Sequence, residues 1–231
     1  MRLDGELVAT TMRTPGHDFE LAVGFCHAEG WLAGATVAAV RYCATGAAAE
    51  TGYNVVTVET TGATTAPTPR LGNVTSSCGW CGSDTIDGLA ARLLPLDAVA
   101  VDASADGPLA GLAARVAPHQ QLFAATGSSH AAAVFDLATG SPVVVREDIG
   151  RHNALDKCIG RLLLDDALPA SGSGVWISGR ANFEMVQKAW AAGAGVLVSV
   201  SAASALAVET AQRARIALFG FARGDELVRY C

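Results

Sequence analysis

Between residues 175 and 221 short apolar runs alternate with stretches of helical period, and this alternation constrains the fold more than any other feature of the chain. Residues 175–178, 195–200 and 216–221 read as strands, and residues 183–192 and 204–214 as helices. A strand, a helix and a second strand in succession pack as a right-handed unit with parallel strands. Three such strands place their carboxyl ends along one edge. Helix N-termini offer free N–H groups there, and α/β sheets bind their ligands there.

That edge reads Ser178-Gly179-Arg180 after the first strand, Ser201-Ala202-Ala203-Ser204 after the second and Phe221-Ala222-Arg223-Gly224 after the third. Small residues allow close backbone approach, and arginine supplies a guanidinium. Together they suit phosphate. A plainer reading is ordinary loop composition with Ser201 or Ser204 as a helix cap. The recurrence at three ends keeps a phosphate-bearing ligand level with it.

Upstream, residues 122–126 read as a strand. Residues 131–136 and 142–145 read as a hairpin closed through Ala138-Thr139-Gly140, and residues 153–164 as a helix with Leu155, Ile159 and Leu162 on one face. The densest polar run lies between hairpin and helix, where six of the twelve residues from Arg146 to Lys157 are charged. A solvated helix start explains this run, with Asp148 near the positive helix end. Mixed charge with a histidine at a strand-to-helix junction is also how sites are built. His130, after Gly127-Ser128-Ser129, is placed to face the same edge, though a lone histidine serves equally as a hydrogen-bonded structural residue.

The first part of the chain differs. Residues 3–12 read as a strand with a turn at Asp4-Gly5, residues 18–31 as a helix, and residues 35–45 and 53–60 as strands. Residues 1–75 thus form a small α+β region ahead of residues 76–231. Between them a stretch rich in Gly, Pro, Ser and Thr, residues 62–77, is expected on the surface as mobile backbone. It ends at Cys78-Gly79-Trp80-Cys81-Gly82, two thiols flanked by glycines and suited to meeting a partner. Cys26, Cys43 and Cys158 stand in apolar runs and read as core, and Cys231 as a frayed terminus.

With 231 residues, 51% hydrophobic, the chain can bury a full core. Its net charge of −6 argues against general nucleic-acid binding, so an anion must be held by local arginines. Residues 1–30 carry seven charges and fit no signal-peptide core. The most apolar run, residues 195–208, is broken by serines and shorter than a membrane span. The chain reads as cytoplasmic, with no membrane partner and with thiols in place of disulfides.

The run from Arg146 to Lys157, with Ser178-Gly179-Arg180 and Phe183-Glu184-Met185-Val186-Gln187-Lys188, resembles the FdhD/NarQ family of formate dehydrogenase accessory proteins. Thr126-Gly127 ahead of His130, Ser199-Val200-Ser201-Ala202, Ala207-Val208-Glu209, Gly220-Phe221 and the cysteine motif extend the resemblance from about residue 15 to residue 230. It implies a cytidine-deaminase-like three-layer α/β domain with a mixed sheet, preceded by the smaller α+β region, in a homodimer. It implies a sulfurtransferase that takes sulfur from a cysteine desulfurase as a persulfide on Cys78. The sulfur passes to the molybdenum of the bis(molybdopterin guanine dinucleotide) cofactor, a bound substrate, before that cofactor enters the catalytic subunit of formate dehydrogenase. The cofactor is expected on Phe221, Ala222, Arg223, Gly224, Asp225 and Glu226, the same edge as Gly179, Arg180, Ser201 and His130. Cys81 is placed to attack the Cys78 persulfide and release sulfide.

Three departures from the family pattern stand out. Family members carry more sequence before the first strand, so an edge strand there is expected to be incomplete. Asp225-Glu226 brings negative charge to the segment that meets phosphate, which leaves Arg223 and backbone N–H groups to bind it. His27-Ala28-Glu29 followed by Cys78 and Cys81 is similar to a zinc deaminase signature. However, Ser77 stands where that pattern has proline, the gap is too long and no fourth ligand is near, so no zinc is expected. A thiol–disulfide oxidoreductase and a cofactor-binding chaperone without sulfur chemistry remain the alternatives.

Overall fold

The computed structural model of the chain describes residues 1–43, 47–62, 64, 87–88, 91–101, 103–104, 107–224 and 226–231. Cys78, Cys81, Asp225 and the 75/76 boundary lie outside the described residues. The chain is a mixed α/β protein with two mixed sheets.

The first sheet contains β1 (Arg2–Leu3), β2 (Glu6–Leu7), β3 (Ala35–Tyr42) and β4 (Val56–Gly62), in the order β2-β1-β4-β3. Helix α1 (Asp18–Ala28) packs on it through Ala22, Val23 and Cys26, against Leu3, Val56 and Val58. The strand expected over residues 3–12 with a turn at Asp4-Gly5 is a hairpin of two-residue strands about that turn, ending at Leu7. Asp4 and Gly5 both take positive φ at its turn, and Val8 and Ala9 then donate back to the Met1 carbonyl.

The second sheet follows α2 (Leu112–Val116) and α3 (Gln121–Thr126). It contains β5 (His130–Asp136), β6 (Pro142–Asp148), β7 (Ser173–Ile177), β8 (Val196–Ser199), β9 (Ala217–Arg223) and β10 (Glu226–Arg229), in the order β10-β9-β8-β7-β5-β6. The expected trio β7, β8 and β9 is parallel, while β5 and β10 flank it antiparallel. Helices α4 (Arg151–Leu164), α5 (Phe183–Ala191) and α6 (Ala205–Ala214) cover one face.

Strand periodicity explains the two cores. Val134, Ile177, Leu197 and Leu218 point to α4, α5 and α6. Their neighbours Phe135, Trp176, Val198 and Phe219 point to the opposite face, where Leu109, Leu112 and Val116 meet them. A strand buried on both faces carries the continuous apolar run seen at 196–198.

Residues 122–126 form part of α3 and are not a strand. The carboxylate of Glu147 on β6 accepts from the N–H groups of Leu122 and Phe123, both at 2.8 Å, and caps the helix from another element. Gly127 ends it in the left-handed conformation, φ 64°. A short apolar run carries no periodicity that separates strand from helix, and the deciding contact is distant in sequence. Cys231 is not frayed: its carbonyl accepts from Leu218 N at 3.3 Å, and the residue is half-buried.

The two sheets are joined through α1 and α4, which cross at two glycines. A Cβ on Gly24 would stand 1.9 Å from the Asp156 carbonyl oxygen, and one on Gly160 would stand 1.8 Å from that of Glu20. Buried ion pairs flank the crossing. Lys157 Nζ meets Asp148 Oδ2 at 2.8 Å, and Lys188 Nζ meets Asp156 Oδ1 at 2.7 Å. Arg146 grips Glu20 of α1 bidentately, at 2.6 and 2.8 Å.

Candidate functional site at the carboxyl edge of the parallel strands

Backbone hydrogen bonds draw the three strand ends into one rim. Phe221 N donates to Ser201 O at 3.2 Å, Ala181 N to Ala202 O at 3.2 Å, and Ser204 N to Ala181 O at 2.9 Å. Ser199 Oγ donates to Gly179 O at 2.6 Å, and Arg223 Nε to Val200 O at 3.3 Å. Gly179, Ser201, Phe221 and Arg223 are therefore brought together as the sequence suggested. Ser204 also does its plainer work, accepting from Ala207 N to cap α6.

Residues 221–224 alternate. Phe221, Arg223 and Gly224 are exposed, while Ala222 is buried in the second core, so only its backbone faces the rim. Phe221 takes φ 52°, left-handed backbone that a bulky side chain rarely adopts. Glu226 pairs with Arg223 across β9 and β10.

His130 opens β5 on the same rim. Its Nδ1 lies 3.2 Å from Ser178 Oγ, which also accepts from Ala131 N at 2.9 Å. Burial lowers the His130 pKa, helped by the charge of Arg151, so the ring is held neutral. Gly179 lies between these two side chains: a Cβ there would stand 3.2 Å from Arg151 Cδ and 3.4 Å from His130 Cε1. Burial, and then the charge of Arg180, lowers the Arg151 pKa. An acidic chain thus gathers Arg151, Arg180 and Arg223 around one edge, a local field that favours an anion.

Arg151 was not singled out from the sequence, although it stands in the charged run. The run does not show which of its charges turn inward. Asp148, Asp156 and Lys157 are fully buried, while Arg151, at the first position of α4, is half-buried beside Gly179. His152 Nε2 meets Glu184 Oε2 at 2.8 Å, a second pair that sequence reading missed. His27 faces α5, with Nε2 2.9 Å from the Ala191 carbonyl oxygen.

Among the described cysteines, Cys26, Cys43 and Cys158 are buried as expected. Burial pushes the thiols of Cys26 and Cys158 up to about 12. At neutral pH neither supplies appreciable thiolate, the form that attacks sulfur. Among the described residues no cluster of three or more His, Cys, Asp or Glu side chains forms a metal site, and no helix is long and apolar enough to cross a membrane.

The sulfur carrier protein FdhD of Nocardia farcinica is 43% identical over 236 residues, across all of this chain and 82% of the relative. That of Streptomyces coelicolor is 44% identical over 243 residues, across all of this chain and 83% of the relative. A crystal structure from Desulfotalea psychrophila, of a protein assigned as a formate dehydrogenase accessory protein, superposes with a TM-score of 0.75. At 20% identity, over 99% of this chain and 84% of that one, it shows a shared fold. The family model of FdhD/NarQ matches residues 1–231 throughout, and the chain belongs to the FdhD/NarQ family.

Proposed function

We propose that the protein is a sulfur carrier that receives sulfur on Cys78 and delivers it to a molybdenum cofactor bound at the carboxyl edge of β7, β8 and β9. The observation that carries this reading is the burial of Cys26 and Cys158, whose thiols are pushed up to about 12. Cys43 is buried as well and Cys231 is half-buried with its Sγ donating to Ile216 O, and in a family whose relatives are named sulfur carriers the resemblance assigns the chemistry to the Cys78-x-x-Cys81 motif.

The Cys78 thiolate attacks the outer sulfur of a cysteine desulfurase persulfide. The S–S bond of the donor breaks, its cysteine leaves as a thiolate, and Cys78 holds the persulfide. Cys81 thiolate then attacks the inner sulfur of Cys78. Hydrosulfide leaves toward the molybdenum, and a Cys78–Cys81 disulfide remains, which a dithiol reductant reopens.

The bis(molybdopterin guanine dinucleotide) cofactor is the substrate. Arg223, Arg180 and the backbone around Gly179, Ser201, Phe221, Ala222, Gly224, Asp225 and Glu226 would hold its phosphates, with His130 beside them. The fold we assign is deaminase-like, with helices on both faces of a mixed sheet. The protein works as a cytoplasmic homodimer between a cysteine desulfurase and the catalytic subunit of formate dehydrogenase.

Intact mass after incubation with cysteine and a cysteine desulfurase tests the carrier step. Wild type gains about 32 Da, dithiothreitol removes it, and Cys78→Ala does not gain it. A persulfide mapped to Cys26, Cys43 or Cys158 would overturn the assignment. Loss of formate dehydrogenase activation in Cys78→Ala, with cofactor binding kept, separates sulfur transfer from chaperoning alone.

A further inference from the structure

Strand β3 is an open edge of the first sheet. Its eight residues pair with β4 on one side, and among the described residues no strand pairs with the other. An unpaired edge of this length is a template for strand addition, and proteins blunt such edges with proline, charge or very short strands. β3 has no proline. Its one charge, Arg41, is tied back to Glu59 of β4, with Nε donating to Oε1 at 3.1 Å.

The hydrogen bonds of β4 fix which backbone groups of β3 lie on the open side. Val58 O accepts from Asp4 N at 2.9 Å, and Thr60 N donates to Asp4 Oδ1 at 2.8 Å, so both residues turn away from β3. Val40 stands opposite Val58, and Val37 opposite Thr60. In an antiparallel pair, opposed residues either bond each other or both turn away, so the N–H and C=O groups of Val37 and Val40 face outward. Two outward residues three apart break strict alternation, and the β-bulge between Val37 and Ala39 accounts for it.

The bulge makes the strand symmetric. Ala35, Val37, Val40 and Tyr42 are half-buried, and Thr36, Ala38, Ala39 and Arg41 are exposed, an order that reads the same from either end. Val37, Val40 and Tyr42 pack on the core beneath α1. A two-fold axis between Ala38 and Ala39 sets Val37 of one copy opposite Val40 of the other on the core face, outward backbone to outward backbone. On the exposed face it sets Thr36 opposite Arg41, with no like charges opposed. Only alanine side chains meet at the axis. A bulge ordinarily protects an edge, but here the bulges of two copies fall together. A slip of one residue would set each valine opposite a residue of the exposed face.

We propose that β3 pairs antiparallel with β3 of a second copy of this chain, about a two-fold axis between Ala38 and Ala39. The proposal rests on the reading that the protein is a homodimer and names the surface that joins the copies. A two-fold interface requires a patch complementary to itself, and a partner of another sequence has no use for that symmetry.

Sedimentation of the full chain at about 100 µM, a concentration suited to a small interface, decides it. Wild type dimerises. Thr36→Lys sets a like charge opposite Arg41 of the second copy and weakens the dimer. Thr36→Glu, at the same exposed position, sets an opposite charge there and strengthens it. Each shifts the dissociation constant by roughly twofold to thirtyfold, a cross-strand pair counted twice. Val40→Pro removes an N–H that β4 does not use and abolishes the dimer, and the Thr36 variants decide the matter where Val40→Pro does not fold. A dimer of equal strength in wild type, Thr36→Lys and Thr36→Glu overturns the β3 assignment and leaves the homodimer reading with its contact elsewhere. A wild type that stays monomeric overturns both.

Discussion

The charged run from Arg146 to Lys157 and the strand-end rim both look like sites in the sequence, yet burial treats their charges in opposite ways. In the run, Asp148, Asp156 and Lys157 are each at most 1% exposed and are neutralised by partners inside the protein. Lys157 also donates to the Thr14 carbonyl at 3.0 Å, and Asp148 accepts from Thr14 N at 3.1 Å, so the pair clamps the amino-terminal segment. On the rim, Arg180 and Arg223 stay exposed among small residues. Charge density marks a clamp on the amino-terminal segment, whereas sparse charge on an open backbone marks the edge proposed here to hold a ligand. Arg151 alone belongs to both.

The largest expected effect comes from breaking the clamp. Lys157→Met leaves the Asp148 carboxylate buried without its cation, an uncompensated charge that costs about 3–5 kcal/mol. For a chain of this length that lowers Tm by roughly 6–20 °C. Thermal unfolding measures it, and a loss under about 1 kcal/mol would show that the pair is solvated in solution and that the contrast with the rim is false.

Much of this was legible from residues alone. The βαβ alternation gave β7 to β9, their helices and the shared edge, because buried parallel strands and amphipathic helices leave strong local patterns. The α3 helix was illegible because its cap, Glu147, lies more than twenty residues away. The inward turn of Lys157 and Asp148 was equally hidden, since a helix start shows which residues are charged but not what packs over them.

A substitution at the helix crossing sharpens the comparison at lower cost. Gly160→Ala places a methyl 1.8 Å from the Glu20 carbonyl oxygen, so α1 and α4 must separate. Overpacking of this kind costs about 1–3 kcal/mol even though alanine favours helix. The displaced Glu20 would loosen its grip on Arg146, so Gly160→Ala combined with Arg146→Ala should cost less than the sum of the two. Strict additivity would separate the crossing from the clamp.

A smaller effect depends on pH. Burial lowers the His27 pKa below 6.5, against the opposing pull of the Ala191 carbonyl. Below about pH 6.5 the unfolded chain therefore binds more protons at this residue than the folded chain does, and stability falls with pH. Asp156, raised to about 6 chiefly by burial, contributes with the opposite sign from about pH 7 downward, and the buried amino terminus adds to the histidine's sign, so between about pH 7.5 and 6 only the difference between wild type and a His27 variant isolates the histidine. His27→Gln should flatten the slope there without abolishing it, because His17 and His130 are lowered too. An unchanged slope in urea titrations across that window would move the coupling to those two residues and the buried amino terminus.

The least effect on stability, and a large one on binding, is expected at the rim. Arg223 is exposed and its hydrogen bond to Val200 O is long, at 3.3 Å. Arg223→Ala should therefore change unfolding free energy by no more than about 0.5 kcal/mol. The same substitution removes a charge-assisted bond to phosphate, worth about 1.5–3 kcal/mol, so affinity for guanosine diphosphate falls about tenfold to over a hundredfold. Salt should weaken wild-type binding, because the attraction is local in a chain of net charge −6. Lys157→Met supplies the converse, lower stability with nucleotide affinity kept below its melting range. If Arg223→Ala lost stability and kept affinity, the rim would be a structural seam like the clamp, and the division of labour between the two polar regions would collapse.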